Sequence, residues 1–284
     1  MKKHDPMRRA VEALQGGSEP FAAMTSLLFL ASITHERAGT PLTDLIGPEP
    51  TAADLNEILE GLERQFPDHL GGALVAPQLA DVRQSAIAEC LTYVQRFLDQ
   101  RDPVQQRDIF GTAFMDAQAH STKQALGAFH SPPCIGQLMA RMVIAPEPAQ
   151  WVYEPTCGTG ALLLAVIDEA VERLGPVVAE SITYIGVELD PRAARLARMN
   201  MVLARQSANS HIFCGNTLAH DIVAPNASEG GRLHRIEFHC CIGNPPFGGS
   251  VKLPEVMDDP FVIPDRLLNR PIAVPSEPDE SAAA

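Results

Sequence analysis

The sequence predicts an α/β protein in which a doubly wound parallel sheet follows an all-helical region. Trp151-Val152-Tyr153-Glu154 leads into the glycine turn Cys157-Gly158-Thr159-Gly160 and then an apolar helix through Leu162, Leu163, Val166 and Ile167. Strand, glycine turn and helix form the opening unit of a nucleotide-binding fold, because glycines let the backbone approach a ligand closely. About thirty residues on, a second strand, Tyr184 to Asp190, ends in acid where ribose hydroxyls would lie. From Met7 to Gln124, by contrast, apolar residues recur at helical spacing, as in Leu55, Ile58, Leu59, Leu62 and in Ile87, Leu91, Val94, Leu98.

In the helical region, breaks fall at Gly16-Gly17, at Gly47-Pro48-Glu49-Pro50 and at Gly71-Gly72, and Thr51 before Ala52-Ala53-Asp54 reads as a helix cap. No catalytic constellation stands out there, and its His and Glu residues read as solvated. The pattern changes at Asp108-Ile109-Phe110-Gly111, followed by Gly127-Ala128-Phe129-His130-Ser131-Pro132-Pro133. The prolines suit the first turn of a helix running through Ile135, Leu138, Met139 and Met142, with Ser131 near the cap. That hydroxyl at a helix N-terminus can seat a carboxylate, although an ordinary capped helix explains it equally well.

Beyond the second strand, a helix from Pro191 to Arg205 carries Arg192, Arg195 and Arg198 at three-residue spacing. A solvated basic face is the expectation, with phosphate contact as the alternative. His211 to Cys214 predicts a third strand ending at Gly215-Asn216-Thr217-Leu218, and Ile236 to Ile242 a fourth, running into Gly243-Asn244-Pro245-Pro246-Phe247-Gly248. An amide, two stiffening prolines and an aromatic ring at a strand end suit a flat amino-bearing group. The last 36 residues are proline-rich and acidic at the end, which predicts an irregular tail. The organisation expected is therefore a helical region over 1–126, a ligand-binding core over 127–250 and a tail over 251–284.

Composition narrows the function. With 284 residues and 45% hydrophobic content, the chain can bury a sizeable core. The longest apolar run, Phe21 to Ile33, falls short of the roughly eighteen residues of a membrane span. Met1-Lys2-Lys3-His4-Asp5 is basic but lacks the apolar core of a signal peptide, so a cytoplasmic location is expected. The six cysteines form no metal-ligand spacing, and Cys240 and Cys241 read as small buried thiols; no metal is expected. A net charge of −13 opposes a chain that grips nucleic acid unaided, because phosphate contacts come from surplus Lys and Arg.

Five stretches, Gly127 to Pro132, Glu154 to Gly160, Glu188 to Asp190, Gly215 to Leu218 and Asn244 to Phe247, stand in one order. Together they resemble the N6-adenine DNA methyltransferases, in particular the modification subunits of type I restriction-modification systems. The resemblance implies a Rossmann-like class I sheet that binds S-adenosyl-L-methionine, shortened after the Asn-Pro-Pro-Phe tetrad. It also implies roles. Phe129, His130 and Ser131 would hold the methionine carboxylate, while Glu154, Pro155, Thr156, Cys157, Gly158, Thr159 and Gly160 would wrap the methionine portion, with Glu154 near its ammonium. Glu188 would take the ribose hydroxyls, Leu189 would pack on the cofactor adenine, and Asn216 with Thr217 would meet its exocyclic amine. Asn244, Pro245, Pro246 and Phe247 would receive an adenine flipped out of DNA. Family members continue past the tetrad, so a specificity subunit or a second copy is the expected source of DNA recognition. Two alternatives stay open: a binding or interaction subunit that methylates poorly or not at all, and a protein-glutamine or RNA methyltransferase, since these share the tetrad.

Overall fold

A computed structural model describes residues 6–17, 19–70, 74, 79, 82–101, 107–117, 131–144, 150–218 and 238–246. The Gly71-Gly72 break, Phe129, His130, Ile236, Phe247 and the tail over 251–284 lie outside the described residues.

The helical region comprises α1 (Pro6–Ala13), α2 (Pro20–Ala38), α3 (Leu42–Ile46), α4 (Ala52–Gln65), α5 (Pro67–Leu70), α6 (Gln84–Gln100) and α7 (Ile109–Ala117). Helix α2 is buried continuously from Ala23 to Ile33, which is why its apolar residues run all round rather than along one stripe. It closes on Gly39 in the left-handed conformation, whose amide donates to the His35 carbonyl. Thr51 caps α4 as the sequence predicts, in a reciprocal box: its hydroxyl accepts from the Asp54 amide, and the Asp54 carboxylate accepts from the Thr51 amide.

The α/β region follows as α8 (Pro133–Val143), β1 (Trp151–Glu154), α9 (Ala161–Leu174), α10 (Pro176–Ala179), β2 (Thr183–Glu188), α11 (Pro191–Leu203), β3 (Ser210–Cys214) and β4 (Cys240–Cys241). All strand pairs are parallel, in the order β3-β2-β1-β4. The chain steps outward from β1 to β3 and then crosses back to β4 on the other side of β1. Such a reversal opens a crevice at the carboxyl ends of the strands on either side of it, here β1 and β4.

Alternation along the strands sorts the side chains. Val152, Tyr184, Ile212, Cys240 and Ile242 pack with α9 and α11, whereas Tyr153, Ile185, Val187 and Phe213 lie in a second cluster. Cys241 stands opposite Tyr153 in the ladder and is exposed. Only Cys240 of this pair is a buried thiol, because adjacent strand residues point to opposite faces.

Two further expectations are corrected. Arg195 and Arg198 form neither a solvated face nor a phosphate site. Arg195 donates to the Ala22 carbonyl and to the Thr25 and Ser26 hydroxyls of α2, and Arg198 donates through two nitrogens to the Ile212 carbonyl of β3. Of these three, only Arg192 is exposed, paired with the Asp190 carboxylate. The histidines of the helical region are not uniformly solvated either: His69 is buried, with Nε2 2.9 Å from the Ser210 hydroxyl at the start of β3.

These contacts reflect a shared core. Leu196, Met199, Val202 and Leu203 on one side of α11 belong to the same cluster as Leu27, Phe29, Leu59 and Phe110 of the helical region. The opposite side of α11, with Ala194, Ala197 and Met201, packs under the sheet. Among the described residues no helix is long and apolar enough to cross a membrane.

Candidate active site

The site lies where β1 ends. Glu154 is the last residue of β1 and, by alternation, points toward α9; it is 2% exposed. Burial pushes its carboxyl well above the usual carboxylate range, the Leu163 amide in the first turn of α9 opposes this, and Glu188 and Asp108 push the same way as burial. One of its oxygens, Oε2, is buried without a hydrogen-bond partner among the described residues, as is the Thr156 hydroxyl two residues on. Two such atoms on the wall of one small cavity are costly unless a ligand satisfies them.

The glycine loop curls over these atoms. Gly158 and Gly160 both have positive φ, at 55° and 86°, which an L side chain rarely adopts. A side chain at Gly160 would also press on Met201, at 3.2 Å, whereas Gly158 faces open space. The loop is held to β2 from one side: the Cys157 amide donates to the Val187 carbonyl at 2.9 Å, and the Gly158 amide donates to Glu188 Oε2 at 2.8 Å. Gly186 makes room for this approach, since a Cβ there would lie 2.9 Å from Cys157 Sγ and 2.8 Å from Ile212 Cδ1.

Glu188 ends β2 with Oε1 accepting from the Asp190 amide at 2.8 Å, so both of its oxygens are oriented by the backbone and each keeps capacity for a further donor. Asp190 caps α11 by accepting from the Arg192 amide. Leu189, between them, is 69% exposed, a bare apolar surface beside the crevice. Beyond β3, Asn216 Oδ1 accepts from the Leu218 amide in a local turn, and the Thr217 hydroxyl lies 2.7 Å from the Tyr153 hydroxyl.

Asn244 reaches the same place from β4. Its amide nitrogen donates to the Ser131 hydroxyl oxygen at 3.1 Å, which fixes the side chain and leaves its carbonyl oxygen as the accepting end. Ser131 does not cap α8: Pro132 holds the cap position, with no side-chain bond to the helix. Ser131, Glu154, Thr156, Cys157, Gly158, Thr159 and Asn244 therefore share a small cavity of about 50 Å³. Pro155 packs close to Gly243, within 3.4 Å of where a Cβ would stand, and Pro245 and Pro246 are exposed beyond it.

Two residues that carry the site were given no role from sequence, Asp108 and Asn200. Asp108 accepts from the Thr159 hydroxyl, and Asn200 donates to the Thr159 carbonyl. For Asn200 a signal existed: it is a polar residue on the apolar side of α11 between Leu196 and Leu203. For Asp108 there was none beyond its place at the change of pattern.

The sequence model of the N-6 DNA Methylase family matches residues 105–270. The chain is 26% identical over 229 residues to the type I restriction enzyme MpnII methylase subunit of Mycoplasma pneumoniae, covering 76% of this chain and 40% of that protein. It is 28% identical over 161 residues to the EcoKI methylase subunit of Escherichia coli, covering 51% of this chain and 28% of that one. The chain thus spans less than half the length of these curated relatives. A crystal structure assigned as a modification subunit of a type I restriction enzyme from Vibrio vulnificus superposes with a TM-score of 0.59 at 14% identity, covering 90% of this chain and 62% of that one, a likeness of fold. With more than half of its length matched, and the glycine loop, the acidic strand end and Asn244 brought to one crevice, this chain belongs to the N-6 DNA methylase family.

Proposed function

We propose that this chain is the catalytic core of an S-adenosylmethionine-dependent N6-adenine DNA methyltransferase, with a specificity subunit or a second copy supplying recognition of DNA. The observation that carries this reading is the meeting, at one small cavity, of Asn244 with its amide nitrogen turned to Ser131 and of Glu154 with an orphaned oxygen.

The residues fit the cofactor. A buried carboxyl with one oxygen left over suits an ammonium, and the Thr156 hydroxyl and the open space over Gly158 suit the rest of a methionine portion. Ser131 keeps its proton for a carboxylate while its oxygen accepts from Asn244, and Phe129 and His130 would complete that seat. The remaining capacity of Glu188 serves ribose hydroxyls, Leu189 offers an apolar face for an adenine ring, and Asn216 with Thr217 flanks it. When bound, the cofactor supplies an electrophilic methyl carbon attached to a sulfonium.

The chain's own task is to shape the nucleophile. The amino group of adenine is weakly nucleophilic because its lone pair is delocalised into the ring. If Asn244 Oδ1 and the Pro245 carbonyl each accept one N6 hydrogen, they favour a pyramidal nitrogen with its lone pair facing the methyl. Pro246 would stiffen the turn, and the flipped base would take Phe247 as its stacking partner. The methylated amine sheds its proton readily to water, so orientation rather than a strong base carries the rate.

The test is transfer of labelled methyl from S-adenosylmethionine to adenine-containing DNA, with and without a specificity partner; label at N6 is the expected outcome. The net charge of −13 favours one other reading, a subunit that binds the cofactor without methylating. Cofactor binding with no transfer under either condition would select it. Label in RNA or in protein glutamine instead would change the acceptor.

A further inference from the structure

The glycine loop is gripped from two sides, and only one of them belongs to the nucleotide-binding unit. From β2 come the Glu188 carboxylate and the Val187 carbonyl. From outside that unit comes Asp108, at the head of α7. Its Oδ2 accepts from the Thr159 hydroxyl at 2.5 Å, and its Oδ1 accepts from the Gly111 amide and from Asn200 Nδ2, both at 2.7 Å. Asn200 closes the triangle by donating to the Thr159 carbonyl at 2.9 Å. Thr159 and Asn200 are both buried. Hydrogen bonds to a carboxylate acceptor are the stronger kind, and linked bonds of this sort hold one another's geometry.

Thr159 sits between the two positive-φ glycines, so its hydroxyl is the handle by which the loop is held. Asp108 is itself tied into α7, because the Gly111 amide bonds its side chain and the Thr112 hydroxyl bonds its carbonyl. Next to it, Arg107 Nε pairs with both oxygens of Asp168 on α9, at 2.9 and 2.8 Å. The start of α7 thereby spans both the loop and the helix that the loop begins.

Resting on the cofactor reading above, we propose that Asp108 is a positioning residue: it fixes the Thr159 hydroxyl, and with it the Gly158 to Gly160 backbone, in the geometry that receives the methionine portion of the cofactor. Asp108 touches no ligand in this role. It acts through Thr159, and Asn200 sets its angle of approach. The residue is assigned this role by contacts made across 51 and 92 positions of sequence, to Thr159 and Asn200.

The test uses the full chain with S-adenosylhomocysteine as the probe, together with amide hydrogen exchange of the ligand-free protein. Thr159→Val removes the handle and leaves Asp108 its bonds to Gly111 and Asn200. It is expected to raise the dissociation constant about tenfold and to speed exchange at the Gly158 and Gly160 amides by a similar factor, with little change in melting temperature. Thr159→Ser, which keeps the hydroxyl, is expected to stay within about twofold of wild type in both readouts. Asp108→Ala should match or exceed Thr159→Val, and if it fails to fold, the Thr159 pair decides alone. Unchanged affinity and exchange in Thr159→Val, or a Thr159→Ser variant as impaired as Thr159→Val, would overturn the proposal. A wild-type chain that binds no S-adenosylhomocysteine would overturn the cofactor reading itself, a failure distinguished by needing no variant.

Discussion

The two halves of the candidate site are held very differently. On the cofactor side the glycine loop is bonded to β2 through Cys157 and Gly158 and to α7 and α11 through Thr159. On the acceptor side, among the described residues, Asn244 is tied down by one side-chain hydrogen bond, to Ser131, and the prolines that follow it are exposed. The difference separates what the fold pre-forms from what it presents. A seat bonded from both sides is costly to distort, so binding to it loses little to reorganisation. An amide carried at a strand end can complete its contacts when a base arrives.

Breaking the acceptor side should give the largest effect on chemistry and the smallest on binding. Asn244→Ala is expected to lower methyl transfer by about a thousandfold or more while cofactor affinity, read by calorimetry, stays within about threefold. Equal loss of both would erase the contrast between the halves.

On the cofactor side the sharpest probe is Glu154→Gln. Burial holds this carboxyl well above its ordinary range, so the folded chain binds its proton more tightly than the unfolded one. Stability is then fully present below the ordinary Glu value and declines as pH rises toward the folded one. At neutral pH the glutamine variant should melt higher than wild type when free of ligand, yet bind the cofactor about a hundredfold more weakly, since a cation's charge partner is gone. For wild type the cofactor's affinity should rise with pH, and calorimetry in buffers of different ionisation enthalpy should detect a released proton.

Gly186→Ala comes next in size. Its Cβ would crowd Cys157 and Ile212, so about 1–3 kcal/mol of stability should be lost, measured by denaturant titration, together with part of the cofactor affinity. Asn244 should still dock on Ser131, which keeps this lesion on one side of the site.

The smallest effect concerns the seam between the helices and β3. Burial lowers the tendency of His69 to take a proton, and of His211 likewise. The unfolded chain therefore protonates first, and stability should fall as pH drops below about 6.5. His69→Asn should flatten that slope in acid melts without altering the cofactor seat.

What sequence made legible was whatever is encoded locally. The strand, glycine turn and helix at Trp151 to Ile167, the acidic end of β2 and the Thr51 cap each depend on neighbours a few residues apart, and all are present. The arginines of α11 misled because three-residue steps drift by about 60° round a helix. Arg192, Arg195 and Arg198 therefore spiral apart, toward solvent, α2 and β3 respectively. Asp108 and His69 were illegible for another reason: their partners stand 51 to 141 positions away, and one sequence holds no record of which distant residues meet. In α8, Ile135, Leu138 and Met142 are exposed while Gly136 and Ala140 are buried, with Gly136 close against Ala165 and Leu162 of α9, because small residues allow close helix approach. The apolar spacing of Ile135, Leu138, Met139 and Met142 gave the helix but not the side on which it packs.

The clasp of Arg195 on α2 has a practical consequence for anyone cutting this chain into pieces. An excised fragment beginning near residue 127 would keep every motif of the site, but it would leave the Arg195 guanidinium without its three acceptors and bare Leu196, Met199, Val202 and Leu203 to water. Such a fragment should be recovered as aggregate, whereas adding the helical half in trans should restore soluble material.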